Sequence, residues 1–116
     1  MDVKQEFIDV IETFDYPVFL QGSLGDEAYP DSFFTFWNND TFDDAFYDNS
    51  ETQVVWDFDL NFYSDNPSLV NSILLEAKSK LKAKGFIVDG FGYDVVSDEP
   101  THTGRGINVL FIERMI

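Results

Sequence analysis

"QVVWDFDLNFY", residues 53–63, alternates large and polar side chains along its length. Val54, Trp56, Phe58, Leu60 and Phe62 fall on one face at period two. Gln53, Val55, Asp57, Asp59, Asn61 and Tyr63 fall on the other. Successive side chains of a strand point to opposite sides of its sheet, so this pattern predicts a long strand with one buried face. Trp56 is expected to anchor the core. Asp57 and Asp59 become same-face neighbours roughly 7 Å apart, at about 3.3 Å of rise per residue. A hydrolytic carboxylate pair can use such a spacing. Yet the alternation already accounts for both as solvated positions, and no histidine or other signature stands beside them.

On the N-terminal side, "DSFFTFWNND", 31–40, is rich in strong β-formers and predicts a second strand. Phe33, Thr35 and Trp37 share one face; Phe34 and Phe36 share the other. Both faces are apolar, so this strand is either central or in a subunit contact. Between the two strands, "DTFDDAFYDNS", 40–50, mixes acids with Phe42, Phe46 and Tyr47. It reads as a long hairpin arm, with a solvated loop as the alternative, although irregular loops of that length are uncommon. "YPVFLQGSLG", 16–25, reads as a short strand running into a glycine-punctuated loop. Before it, Val3, Phe7, Val10, Ile11 and Phe14 recur at helical spacing and predict an amphipathic helix that stops before Pro17.

On the C-terminal side, "SDNPSLVNSILLEAKSKLKAKGF", 64–86, predicts the second helix. Asp65 or Asn66 caps it, and Pro67 suits the first helical position. Leu69, Val70, Ile73, Leu74, Ala77 and Leu81 form its core stripe, and Gly85 its stop. Residues 86–93 read as a strand weakened by Gly90 and Gly92, 94–106 as a loop, and 107–115 as the last strand. The expected fold is α+β: a mostly antiparallel sheet of four to five strands with two helices packed on one face. Residues 1–116 form a single domain.

Charge and composition narrow the function. The chain carries 22 acidic and 7 basic residues, a net charge of −15. From Asp26 to Asp65 there are eleven acids and no Lys or Arg. That argues against specific binding of nucleic acid, which needs cations to neutralise phosphates. Lys78, Lys80, Lys82 and Lys84 make one small positive patch, placed where a helix C-terminus favours cations. There is no cysteine, hence no disulfide framework or thiolate metal site, which suits a cytosolic or virion setting. No run of about 18 apolar residues predicts a membrane span. The acidic opening "MDVKQEFIDVIETF" does not read as a secretory signal.

Candidate chemistry concentrates in "SDEPTHTGRG", 97–106. His102 is the sole histidine, so a metal site there would need Asp94, Asp98 or Glu99 beside it. Such loop carboxylates are usually turn residues. Ser97 or Thr101 with His102 could in principle form a nucleophilic set, but triads are assembled across a fold rather than between sequence neighbours. Arg105 is the loop's lone cation and could pair with an acid of another subunit. No nucleotide fingerprint, zinc spacing or deaminase signature occurs, and neither a cofactor nor a metal is expected.

The order of landmarks carries a resemblance. "YPVFLQGSL" is followed by "YPDSFFTFWNNDT", a "YDNS" turn and "VVWDFDLNFYSDNPSLV". A lysine-bearing helix ending "KGF" and an acid–threonine–glycine loop then precede the final strand. From about residue 3 to 114, this order resembles the tail terminator, or tail-to-head joining, proteins of long-tailed bacteriophages. The resemblance implies an antiparallel sheet backed by helices and a structural, non-catalytic role. It implies a homo-hexameric ring that caps the tail tube protein and meets the head-completion or neck protein. Genomic DNA would pass its channel without specific binding, and no membrane is involved. Segment 38–50 matches the family's variable arm, here unusually acidic and aromatic; from the residues themselves, Phe42, Phe46 and Tyr47 are expected to anchor a neighbouring subunit, because exposed apolar patches usually mark contacts. Loop 96–106, with Arg105, matches a turn near the ring contact. The implied location is the virion, and the host cytoplasm during assembly. Six copies of a −15 chain carry about −90, a field that repels DNA phosphates within a screening length of about 8 Å. The other expectations from the sequence are an acidic DNA-mimic inhibitor, a neck or head-completion protein, and a hydrolase using Asp57 and Asp59.

Overall fold

A computed structural model describes the backbone of residues 2–20, 30–47, 50–97 and 100–114, and their side chains except for 40–47 and 50–52. The alternating segment is the middle of a strand, β3 (Ser50–Ser64), preceded by α1 (Val3–Glu12), β1 (Val18–Leu20) and β2 (Ser32–Tyr47). After it come α2 (Pro67–Ala83), β4 (Ile87–Val88), β5 (Tyr93–Val95) and β6 (Thr103–Arg114). The strand order is β1-β2-β3-β6-β4, with β5 also paired to β6. The β1–β2 pair is parallel and the other pairs are antiparallel. The α+β class is therefore as expected.

The helical layer explains the alternation in β3. Phe58, Leu60 and Phe62 are fully buried beneath Val3, Phe7 and Ile11 of α1 and Val70, Leu74, Ala77 and Leu81 of α2. Phe34 and Phe36 of β2 and Ile107 and Val109 of β6 complete the same face. The Phe7 ring stacks on Phe58 at 4.5 Å between centroids, with planes 5° apart. Burying each such side chain contributes about 1.5–3 kcal/mol. Trp56 differs from its expected role. It is only half-buried, because its cross-strand partners Thr41 and Phe111 mark the row where the buried cluster ends.

Local signals set the helix ends. The Asp2 carboxylate accepts from the Gln5 amide at 3.1 Å, and the Asn66 side chain accepts from the Ser68 amide at 3.2 Å. Each satisfies an amide that the first turn leaves unpaired. After α1, Asp15 adopts φ 62°, a left-handed conformation that Asp tolerates better than most residues. It turns the chain into Pro17 and β1.

Two expectations are corrected at the C-terminal edge. Residues 86–93 do not form one strand. Gly90 and Gly92 hold φ of 77° and 93°, so the chain turns between β4 and β5, and the sheet gains a sixth short strand. The last strand begins at Thr103 rather than at 107, drawing "TGRG" out of the expected loop. Its glycines belong in a strand because other side chains occupy the space above them. A Cβ on Gly104 would stand 2.6 Å from the Tyr63 ring. One on Gly106 would collide with the Asn61 side chain and stand 3.0 Å from the Tyr93 ring.

The arm is a continuation of the β2–β3 hairpin. Its register runs from Ser32↔Ser64 to Tyr47↔Ser50, with one irregularity between Asn38 and Asp40. The backbone at 40–47 is thus paired strand rather than loop. The side chains of Phe42, Phe46 and Tyr47 lie outside the described residues. β6 accompanies β3 only as far as Gln53↔Arg114. Beyond that row, the described part of the hairpin has two strands.

Candidate functional site

The helices cover one face of the sheet. On the other face, the strand register aligns side chains in cross-sheet rows. Trp37, Asp59 and Asn108 occupy one row, and Thr35, Asn61, Gly106 and Tyr93 the next. Asn108 ties the two aspartates together. Its Nδ2 donates to Asp57 Oδ1 at 2.6 Å, to Asp59 Oδ1 at 3.2 Å and to the Phe58 carbonyl at 3.2 Å. Asn39 Nδ2 reaches Asp57 Oδ1 at 3.4 Å. From β5, the Tyr93 hydroxyl donates to Asp59 Oδ1 at 3.3 Å.

Asp57 and Asp59 are consequently half-buried, not the fully solvated residues that alternation alone predicts. The physical reason is lateral: β6 places an amide opposite Asp59, and β5 leans a tyrosine over the same row. Tyr93 is 43% exposed as a whole, with its hydroxyl end against Asp59. Burial of that end, then the Asp59 carboxylate beside it, and lastly Asp57, push its phenol up to about 12. The groups bonded to the carboxylates are amides and a phenol, with neither an imidazole nor an aliphatic hydroxyl among those contacts. A row of free acids, as DNA mimicry would use, is not what these two residues make.

The same face carries an aromatic cluster around Phe33, which is 2% exposed. Tyr63 stacks on it at 5.1 Å, and Phe19 and His102 each lie 5.9 Å away. His102 Nε2 is 2.7 Å from the Pro30 carbonyl, and its Nδ1 is 3.0 Å from the Thr101 hydroxyl. Nε2–H therefore donates to Pro30, and Nδ1 accepts from Thr101. The imidazole pins the 100–103 turn over Phe33. Of the carboxylates that a metal site would have recruited, Asp94 is bonded to Arg105 at 2.7 Å, and Asp98 and Glu99 lie outside the described residues. Among the described residues, no group of three or more His, Cys, Asp or Glu is placed to hold a metal ion.

Arg105 is engaged within its own chain. Nη1 binds Asp94, and Nη2 donates to the Phe91 carbonyl at 3.1 Å. Any role at a subunit contact would run through the turn that it pins. The lysine cluster also has local work. Lys78 Nζ donates to the Gly90 carbonyl and lies 4.6 Å from the Phe91 ring centre. Lys80 Nζ donates to Thr13 Oγ1 at 3.0 Å and lies 4.4 Å from the Phe14 ring centre. These two lysines tie α2 to the end of α1 and to the turn between β4 and β5, while Lys82 and Lys84 are exposed at its end.

The structure thus brings Asp57 and Asp59 together with Asn108, Asn39, Tyr93 and Trp37, none of which the sequence had joined to them. One signal was present: Asn108 is the polar interruption in the apolar run "INVLFI". Among the described residues, no helix is long and apolar enough to cross a membrane. No protein-family model matches the chain, and no curated protein matches it.

Proposed function

We propose that this chain is a virion structural protein, a tail terminator that forms a homo-hexameric ring between the tail tube protein and the head-completion or neck protein. The observation that carries this reading is the long β2–β3 hairpin, which among the described residues continues past the Gln53↔Arg114 row. Among the described residues, the two-stranded part beyond that row is 45–47 against 50–52, about 10 Å at the usual rise. A bare two-stranded hairpin is marginal in water. This one carries Phe46 and Tyr47 in its sequence, with Phe42 two residues inside the three-stranded part, and aromatic residues are enriched where subunits meet. An arm of this kind gains its support from a neighbouring subunit. The mostly antiparallel sheet with both helices on one face agrees with the fold that the resemblance implies. The charge of −15 suits a channel through which DNA slides without adhering.

The test is light scattering over a salt series, on the wild type and on a Phe42→Ser, Phe46→Ser variant, with and without tail tubes. Like charges oppose association at low salt, and the screening length falls to about 10 Å at 0.1 M. Added salt should therefore promote oligomers of the wild type, and the variant should assemble poorly. Equal assembly of the variant on tail tubes would remove the arm from the contact. Dispersal by salt would show that opposite-charge pairs, not the arm, hold the subunits.

A further inference from the structure

We propose that the turn carrying Phe91 docks into the cleft between α1 and β1 of a second copy of this chain, joining copies head to tail. Phe91 is 74% exposed, yet it is held in place. Gly90 and Gly92, with φ of 77° and 93°, shape the turn on either side. Arg105 Nη2 holds the Phe91 carbonyl at 3.1 Å, and Lys78 Nζ holds the Gly90 carbonyl. An aromatic ring fixed in water has already lost the freedom that binding would otherwise cost it, which is what a contact anchor needs.

The receiving surface lies at the opposite edge of the sheet. The order β1-β2-β3-β6-β4 places β1 at one margin and the β4–β5 turn at the other. Four strand spacings separate them, roughly 19 Å. Between α1 and β1 is a cleft of about 570 Å³ with Ile8, Val18, Leu20 and Phe36 in its walls, a size in the range of ligand-holding clefts. Leu20 at this site is 47% exposed.

Charge selects a second copy as the occupant. The Lys78 ammonium travels with the Phe91 ring, 4.6 Å from its centre. Glu12 and Asp15 line the cleft and would receive that cation. Lys4, the chain's only basic residue before Lys78, also lines the cleft and would meet Asp89, exposed next to Gly90. The two surfaces differ, so the contact is heterologous. It repeats from copy to copy, closing into a ring when the rotation permits and running into a filament when it does not. It supplies the subunit contact of the ring proposed above. It rests on that reading for its purpose, while its geometry stands on the two edges alone.

The chain has no cysteine, which makes disulfide trapping clean. An Asp89→Cys, Leu20→Cys chain keeps the Phe91 ring and cannot bridge internally across the sheet, since a disulfide needs Cα atoms within about 7 Å. Mild oxidation at high protein concentration should give a covalent ladder that reduction collapses, and each single-cysteine variant should stop at dimer. Phe91→Ser should weaken association by about tenfold or more, the scale of an interface hot spot, with an unchanged thermal melt. Lys78→Glu should weaken it too, and adding Glu12→Lys should restore it. A protein that stays monomeric at every concentration and salt overturns the proposal. So do oligomers that form without the disulfide and survive Phe91→Ser, an outcome that leaves a ring built on other contacts standing. A ladder that forms while the protein fails to bind tail tubes keeps the contact and removes the tail-terminator reading.

Discussion

Gly104→Ala isolates the contact between the two sides of the open face. Gly104 lies opposite Tyr63 on β3 and Val95 on β5. An added Cβ would stand 2.6 and 2.7 Å from two carbons of the Tyr63 ring and 2.7 Å from the Val95 Cγ2 methyl. Ordinary carbon contacts begin near 3.5 Å, so something must yield by almost an ångström. Tyr63 cannot simply lift away, because it is stacked on Phe33 at 5.1 Å, and Phe33 is 2% exposed. Overpacking of this kind costs about 1–3 kcal/mol. Replacing glycine by alanine also restricts the unfolded chain, which offsets about 0.4–1 kcal/mol. The net loss is about 1–2 kcal/mol, or roughly 4–8 °C in Tm for a domain of this length. Thermal melts followed by circular dichroism give the measurement, repeated in a Tyr63→Ala background. There the same substitution should be near neutral, because two of the three close contacts are gone. An equal loss in both backgrounds, or none in the wild type, would refute the packing of Tyr63 over β6.

Phe58→Ala should cost about 3–5 kcal/mol in denaturant melts, and the half-buried Trp56→Ala less. The reverse order would mean that the arm end of the sheet, not the helical layer, holds the core. Asp57→Asn with Asp59→Asn should change stability by less than about 1 kcal/mol, since each keeps an acceptor for Asn108 and one close like-charge pair disappears. A loss of several kcal/mol, or of a measured hydrolytic activity, would overturn that. In an ultraviolet titration compared with Tyr93→Phe, Tyr93 should ionise near pH 12, and Asp59→Asn should bring it earlier. Its unfolded value is about 10. Because its folded value is raised, its contribution to stability is complete below pH 10 and is lost as pH climbs towards 12. A Tyr93 titration near pH 10 would contradict the contact with Asp59.

The elements whose side chains repeat with a clear period were legible in the sequence. Phe58, Leu60 and Phe62 at period two, and Val70, Leu74, Ala77 and Leu81 at helical period, gave the core directly. The glycine-rich C-terminal segment was legible only in part. Gly90 and Gly92 signalled a break, but Gly104 and Gly106 looked like loop residues, since nothing local reveals that Tyr63 and Asn61, some 40 positions away, lie across them. The surroundings of Asp57 and Asp59 were hidden for the same reason. Asn108 and Tyr93 reach them through strand register, and register between distant strands is a property of the assembled sheet. The parallel pairing of β1 with β2 likewise depends on where α1 releases the chain, at the left-handed Asp15.

The most direct measurement is cryo-electron microscopy of assembled phage particles carrying this protein with a small tag. A tail-terminator role predicts a sixfold ring of tagged density at the junction of tail tube and head, with the β2–β3 hairpin of each copy against its neighbour. Particles whose junction lacks the tag, or a tag found elsewhere in the particle, would contradict it.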